Sequence, residues 1–231
     1  MNAREAILGR ARRALADVPD VDPVRDVPVI RPEPGVDRTH AQVVDRFAEQ
    51  VADYRAVVER ATTATAPGLV AAALSGRTPL AGSGPLRVLV PPGFPDALVP
   101  DGIEVVRDGP DVAVSELDRC DGVLSTAALG IAETGTIVLD HGAGQGRRAA
   151  TLVPDLHVCV VRTDRIVPGV PDAVAALDPR RPSTWISGPS ATSDIELDRV
   201  EGVHGPRTLH VLVLVVDAGS GPRAASRPTA G

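Results

Sequence analysis

Hydrophobic residues change their spacing along this chain near residue 87, from a helical period to short continuous apolar runs. In the earlier part, apolar residues recur three or four positions apart and so fall on one stripe of a helix: Val43, Phe47, Val51, Tyr54 and Val58. Thr39 is placed to cap this helix. Shorter helices are predicted over residues 7–15 and from Pro67 to Gly76.

Beyond Arg87, β-rich runs alternate with helical or loop segments. The predicted strands are Val88–Val90, Ile103–Arg107, Gly122–Ser125, Thr136–Leu139, Val158–Arg162, Trp185–Ser187 and Leu209–Val216. Helices are predicted over Asp111–Arg119 and Pro171–Leu177. Continuous apolar strands such as residues 158–161 suit a sheet covered on both faces. The pattern therefore predicts an α/β fold of three layers with a mostly parallel sheet and the N-terminal helices packed on it.

Proline, glycine and small residues mark three parts of the chain. Residues 1–38 combine the first helix with a proline-rich linker, residues 39–217 form the domain, and residues 218–231 are expected to be a disordered tail. The N-terminus has no apolar signal segment, and the chain has no apolar run of the roughly 20 residues that a membrane helix needs. We therefore expect a cytoplasmic protein that does not associate with membranes.

Composition excludes several classes of protein. All 24 basic residues are arginine, which excludes Schiff-base chemistry and the lysine of a P-loop. Cys120 and Cys159 are the only cysteines, too few for a standard iron–sulfur cluster, and no histidine spacing suggests a metal site. Aromatic residues make up 2% of the chain and the net charge is −6, so nucleic-acid binding is not expected.

Two polar loops flank the predicted strand at residues 136–139. In Ala132-Glu133-Thr134-Gly135-Thr136, the Glu133 carboxylate is a candidate base, nucleophile or ligand anchor, or it fixes the turn. Thr134 and Gly135 are candidate ligand-binding residues of the same motif. The loop at 140–148 contains Gly144 and Gly146, whose amides are candidates for an anion site. Its other candidates are His141 as an acid or base and Arg147 or Arg148 as an anion clamp; a flexible turn with solvated arginines is the alternative.

Two further loops lie around the last predicted strands. The segment at 187–196 carries candidate ligand-binding hydroxyls and carboxylates at Ser190, Thr192, Asp194 and Glu196, although helix capping explains part of this pattern. In the turn at 202–207, His204 is a candidate acid or base and Arg207 a candidate anion ligand; a tight structural connection is the alternative. Because ligands bind at the carboxyl ends of parallel strands, we expect the four loops to converge on one pocket.

The four motifs together resemble the lactate utilization protein C family, whose defining unit is the LUD domain. They are Ala-Glu-Thr-Gly-Thr at 132–136, Gly-Gln-Gly-Arg-Arg at 144–148, Gly-Pro-Ser-Ala-Thr-Ser-Asp-Ile-Glu at 188–196 and Gly-Val-His-Gly-Pro-Arg at 202–207. The resemblance covers roughly residues 40–217. It implies a fold like that of ribose-5-phosphate isomerase, glucosamine-6-phosphate deaminase and CoA transferases. Residues 133–135 are also similar to the motif that holds the catalytic glutamate of CoA transferases, which is an analogy between folds.

The resemblance also implies a role in oxidising L-lactate to pyruvate, alongside partner proteins that carry the iron–sulfur clusters. Under this hypothesis the chain has no cofactor of its own, is not a self-sufficient oxidoreductase, and binds a small carboxylate or phosphate through its arginines and glycine amides. One alternative is an independent enzyme that uses Glu133 on an acyl, phosphate or CoA-linked substrate. Another is a structural or regulatory subunit.

Overall fold

The computed structural model describes residues 2–17, 38–193, 199–201 and 205–216; for 191–193 and 199–201 it describes the backbone alone. The chain divides into two units, Met1–Asp37 and Arg38–Gly231. In the first unit, helix α1 (Ala3–Ala14) begins with a capping box between Asn2 and Glu5 and contains no buried residue.

The second unit alternates strands and helices. The strands described there are β1 (Val57–Ala61), β2 (Arg87–Val90), β3 (Glu104–Arg107), β4 (Gly122–Thr126), β5 (Leu129–Ile131), β6 (Thr136–Leu139), β7 (Leu156–Arg162), β8 (Ile166–Val167), β9 (Thr184–Ile186), β10 (Ala191–Ser193), β11 (Arg199–Glu201) and β12 (Thr208–Leu214). The α-helices described are α2 (His40–Asp53), α3 (Ala66–Leu74), α4 (Val114–Leu117) and α5 (Val170–Ala176).

The main sheet has six parallel strands in the order β1-β12-β7-β4-β2-β3. One face packs against α2, whose Val43, Phe47 and Val51 are buried together with apolar residues of β7 and β12. The opposite face packs against α3 through Val70 and Leu74. Helices on both faces explain why β7 is apolar along almost its whole length, and the mostly parallel α/β fold is confirmed.

A second sheet lies on the α2 side, with strands in the order β8-β5-β6-β9. The β5–β6 and β6–β9 pairs are antiparallel, and β5–β8 is parallel. The sequence predicts β6 and β9 as strands but does not predict this separate sheet, because local periodicity does not identify a strand's partner.

Two predicted helices are wrong in extent. The helix that was expected to reach Val58 ends at Asp53, where Tyr54 caps it and Arg55 adopts a left-handed φ of 67°. The following Val57 and Val58 instead begin β1, as suits β-branched residues. The helix expected over residues 111–119 is the single turn α4. Across the described residues, no helix combines the length and apolarity needed to cross a membrane.

Candidate functional site

A cavity of about 310 Å³ lies beside the amino ends of β7 and β12. His157 and Leu209 of these strands form one wall, and residues 184–186 of β9 form another. Two residues of the short 3₁₀ turn Arg148–Thr151, Arg148 and Thr151, also line it. The mouth is bordered by Trp185, which is 40% exposed. The cavity thus combines a cation, a histidine and an aromatic surface in one place.

The segment after β9 completes this cavity. Ser187, Gly188, Pro189 and Ser190 all line it, and the Ser190 amide donates a hydrogen bond of 2.8 Å to the Pro206 carbonyl. The chain then forms the antiparallel β10–β11 pair and returns to the cavity at Gly205 and Pro206.

Of the residues predicted in this segment, Ser190 therefore belongs to the cavity wall. Thr192 is described by its backbone in β10. Asp194, Glu196 and His204 lie outside the described residues.

Arg148 differs from its neighbour Arg147. The Arg147 guanidinium donates a 2.9 Å hydrogen bond to Asp108, a buried carboxylate that also accepts the Arg147 amide, and bonds the Val112 carbonyl. Arg148 is exposed beside the cavity, and no carboxylate among the described residues forms an ion pair with it. Of the two candidates for an anion clamp, Arg147 is thus engaged by Asp108, and the role of Arg148 stays a prediction.

Arg207, the third predicted anion ligand, is paired with Asp155. Its Nε donates a 2.6 Å hydrogen bond to the Asp155 carboxylate. This hydrogen bond raises the pKa of Arg207 above its ordinary value. The Arg207 side chain is largely exposed and that of Asp155 is partly buried, and Arg207 does not line the cavity formed by its neighbours Gly205 and Pro206.

The glycine loop is packed against the carboxyl ends of β2 and β4. The Gly144 amide donates to the Pro92 carbonyl, and the Gly144 carbonyl accepts from the Thr126 amide. A Cβ on Gly144 would lie 2.8 Å from Thr126 Oγ1, so glycine is required for this close approach. The prediction that the Gly144 amide faces an anion is wrong, because this amide bonds to the protein's own backbone.

His141 and Gly146 hold the ends of the same loop. His141 Nδ1 lies 3.0 Å from the Gly146 carbonyl oxygen and Nε2 lies 3.0 Å from Thr184 Oγ1. Gly146 has a φ of 74°, and a Cβ there would lie 3.0 Å from Pro91. Both residues therefore shape the loop, and both also line a cavity of about 610 Å³ at the carboxyl ends of β2 and β3.

The Glu133 turn joins β5 to β6 and packs against the end of α2. Gly135 has a φ of 58°, and a Cβ there would lie 2.6 Å from the Gln50 carbonyl carbon. Thr134 Oγ1 contacts Thr136 Oγ1 at 2.7 Å. The Glu133 side chain is exposed, and its amide donates to the Pro168 carbonyl.

The predicted single pocket is not found among the described residues. Arg148 and Ser190 share the cavity at the amino ends, whereas Arg147 lines the separate cavity of about 610 Å³ at the carboxyl ends of β2 and β3. The Gly144 amide, beside that cavity, bonds to the Pro92 carbonyl. Glu133 lines neither of these two cavities. The expectation fails because β6 and β9 belong to the second sheet, so the loops beside them do not gather at one edge of the parallel sheet.

His157 is a cavity residue that the sequence reasoning missed. It is 1% exposed, and its Nε2 lies 2.7 Å from the Oγ of Ser125, which is fully buried. Burial lowers the pKa of His157 to about 4, so the ring is neutral at physiological pH. The sequence feature that could have identified it is a histidine within the apolar run 156–161, because a polar side chain buried in such a strand needs hydrogen-bond partners.

Another cavity, of about 550 Å³, lies at the carboxyl ends of β4 and β7. Its charged walls include Arg162 paired with Asp164 at 2.8 Å and Arg181 paired with Asp140 at 2.9 Å. The bond to Arg162 lowers the pKa of Asp164. The opposite charges largely cancel one another, which gives this cavity less attraction for an anion than its arginines alone suggest. Within the described ranges, no three His, Cys, Asp or Glu side chains are grouped as metal ligands.

Comparison with known proteins identifies similar sequences and a similar structure. The LUD domain family matches residues 101–214. A lactate utilization protein C of Deinococcus radiodurans is 47% identical over 180 residues, which cover 76% of this chain and 81% of that protein. The protein of the same name from Halalkalibacterium halodurans is 35% identical over 109 residues, covering 43% of this chain and 47% of that protein. A crystal structure of a DUF162 family protein from D. radiodurans superposes with a TM-score of 0.64 at 40% identity, over 77% of this chain and 99% of that chain.

Proposed function

The chain belongs to the lactate utilization protein C family, and we propose that it is a subunit that supports the oxidation of L-lactate to pyruvate. The 47% identity to a protein of that name over most of both chains is the observation that carries the proposal. The names of the relatives point to lactate as the substrate. The cavity beside β7 offers a place where a small carboxylate could bind.

In this proposal Arg148 binds the carboxylate. A guanidinium offers a planar pair of N–H donors that matches two carboxylate oxygens. Arg147 and Arg207 already donate to Asp108 and Asp155, whereas Arg148 reaches the cavity with no ion-pair partner among the described residues. The Ser187 and Ser190 segment would enclose the ligand from the other side.

The electrons would leave through partner proteins that carry iron–sulfur clusters. Cys120 and Cys159 are both buried and belong to different apolar clusters of the core, so this chain offers no four-thiolate site for a cluster. We propose accordingly that the chain has no cofactor of its own and works in the cytoplasm, away from membranes and nucleic acids. Stoichiometric iron and acid-labile sulfide in the purified protein would contradict the proposed division of roles.

Growth and binding together test the proposal. Deletion of the gene should abolish growth on L-lactate, and the wild-type gene should restore it. Calorimetry should show that Arg148→Ala binds L-lactate about ten- to a hundredfold more weakly, since a hydrogen bond to a charged group is worth about 1.5–3 kcal/mol. Arg119→Ala, which removes an exposed arginine outside the cavity, is the matched control.

Two results would count against these proposals. Normal growth of the deletion strain on L-lactate would exclude the role in lactate utilization. Undiminished lactate binding by folded Arg148→Ala would exclude this carboxylate site while leaving the family role in place.

A further inference from the structure

His157 occupies an unusual position for a polar side chain. It is the second residue of β7, a central strand of the main sheet, and the ring is buried against the floor of the cavity that Arg148 borders. Its register partners on the two neighbouring strands are Val123 and Leu209, so no charged group faces it from those positions. A strand in the middle of a sheet holds such a ring more rigidly than a loop does.

Ser125 fixes the orientation of this ring. Its hydroxyl lies 2.7 Å from His157 Nε2, and it also contacts the Cys159 thiol, two residues along β7. With Nε2 committed to Ser125, Nδ1 is the nitrogen that a ligand in the cavity can meet. A neutral imidazole presents either an N–H or a bare nitrogen at that position, according to its tautomer.

We propose that His157, oriented by Ser125, recognises the hydroxyl group of a 2-hydroxy carboxylate whose carboxylate is bound by Arg148. This inference rests on the carboxylate site proposed above. A hydroxyl both donates and accepts a hydrogen bond, so it satisfies Nδ1 in either tautomer. A methylene group does neither, and it leaves a buried polar atom without a partner when the ligand excludes water from the cavity. His157 is therefore a specificity-determining residue, and Ser125 is a positioning residue.

Two acids that differ in this one hydroxyl test the inference. Calorimetry should show wild-type protein binding L-lactate about three- to tenfold more tightly than propionate, the range that one net hydrogen bond gives. Ser125→Ala and His157→Gln should lose this difference while keeping the affinity for propionate. His40→Gln, on the exposed start of α2, should behave as wild type.

Nitrogen NMR on the wild-type protein provides a readout that needs no variant to fold. L-Lactate should shift the His157 Nδ1 resonance, and propionate should leave it in place. If both acids bind equally and neither moves this resonance, the assignment of His157 is wrong and the carboxylate site stands. If neither acid binds, the carboxylate site and the assignment of His157 both fail.

Discussion

Adjacent residues in this protein acquire different roles from their surroundings. Arg147 and Arg148 are chemically identical, yet one satisfies the buried carboxylate of Asp108 and the other borders a cavity. Two histidines that are not adjacent also differ in their surroundings. His141 bonds to its own loop, whereas His157 lies between Ser125 and the cavity. Residue type alone therefore gives only a list of candidate site residues. The hydrogen-bond and ion-pair partners of each residue in the folded protein distinguish one candidate from another.

The buried His157 makes stability depend on pH. Its pKa is about 4 in the folded protein against an ordinary 6.5, so the unfolded chain binds a proton that the native state does not. The contribution of the neutral ring to the free energy of unfolding is fully present above pH 6.5 and is lost as the pH falls towards 4. At about pH 5 the free energy of unfolding is lower by about 2 kcal/mol for this reason.

Urea unfolding at neutral pH and at about pH 5 measures this loss. His157→Gln should be less stable at neutral pH but should lack this part of the acid sensitivity, whereas the exposed His40→Gln should retain it. Equal acid sensitivity of wild type and His157→Gln would show that His157 is not buried in its neutral form.

Among the elements, the β5–β6 turn shows how a motif can be structural. Gly135 brings the turn against the backbone at Gln50 and Val51 near the end of α2, where a Cβ would lie within 2.7 Å of either residue. The turn's side chains continue as a hydroxyl chain from Thr134 through Thr136 to Ser187, a residue of the cavity wall. The motif at 132–136 thus couples α2 and the second sheet to the cavity.

Replacement of Gly135 by alanine should be costly for this reason. Gly76→Ala is a matched control, because Gly76 also has a positive φ but open space around its Cβ position. Gly76→Ala should lower the free energy of unfolding by about 1–2 kcal/mol, from left-handed backbone strain alone. Gly135→Ala should lower it by about 1–3 kcal/mol more, because the added Cβ overlaps with α2. Denaturant unfolding measures both, and equal losses would mean that the turn does not need its close contact with α2.

Across the described residues of the second unit, packing between sheets and helices buries both thiols, each in a different apolar cluster. Cys159 lies on β7 beneath α2, and burial raises its pKa to about 12, against a small opposing effect of the bond with Ser125. Cys120 packs with Leu89 and Leu117 under α4, and burial raises its pKa to about 11. Both thiols are therefore protonated and inaccessible in the native protein.

Thiol labelling should report this burial directly. An aromatic disulfide reagent at mildly alkaline pH should react slowly with the native protein and should release two equivalents at once in denaturant. Cys120→Ser leaves Cys159 as the only thiol, and its labelling rate should follow global unfolding. Rapid labelling of that variant under native conditions would contradict the packing of α2 on the main sheet.

Most elements of this protein have a character that local sequence dictates. The apolar run at 158–161 predicts a strand covered on both faces, and the spacing of Val43, Phe47 and Val51 predicts a helix with one buried stripe; both are confirmed. These features depend on neighbours a few residues apart, so they can be predicted locally. The family, too, is identified by four ordered motifs that lie in the amino-acid sequence itself.

Strand pairing and the meeting of distant polar groups depend instead on the folded chain. The predicted strand at 185–187 is β9, on the edge of the second sheet, and its pairing with β6 joins residues almost fifty positions apart. Ser125 and His157 are separated by 32 residues and meet because β4 and β7 are neighbours in the main sheet. Such pairings depend on the burial of whole surfaces against one another, and no local spacing in the sequence encodes them. For this reason the sequence could identify Arg148 and Ser190 as candidates, but the fold alone placed them in one cavity with His157.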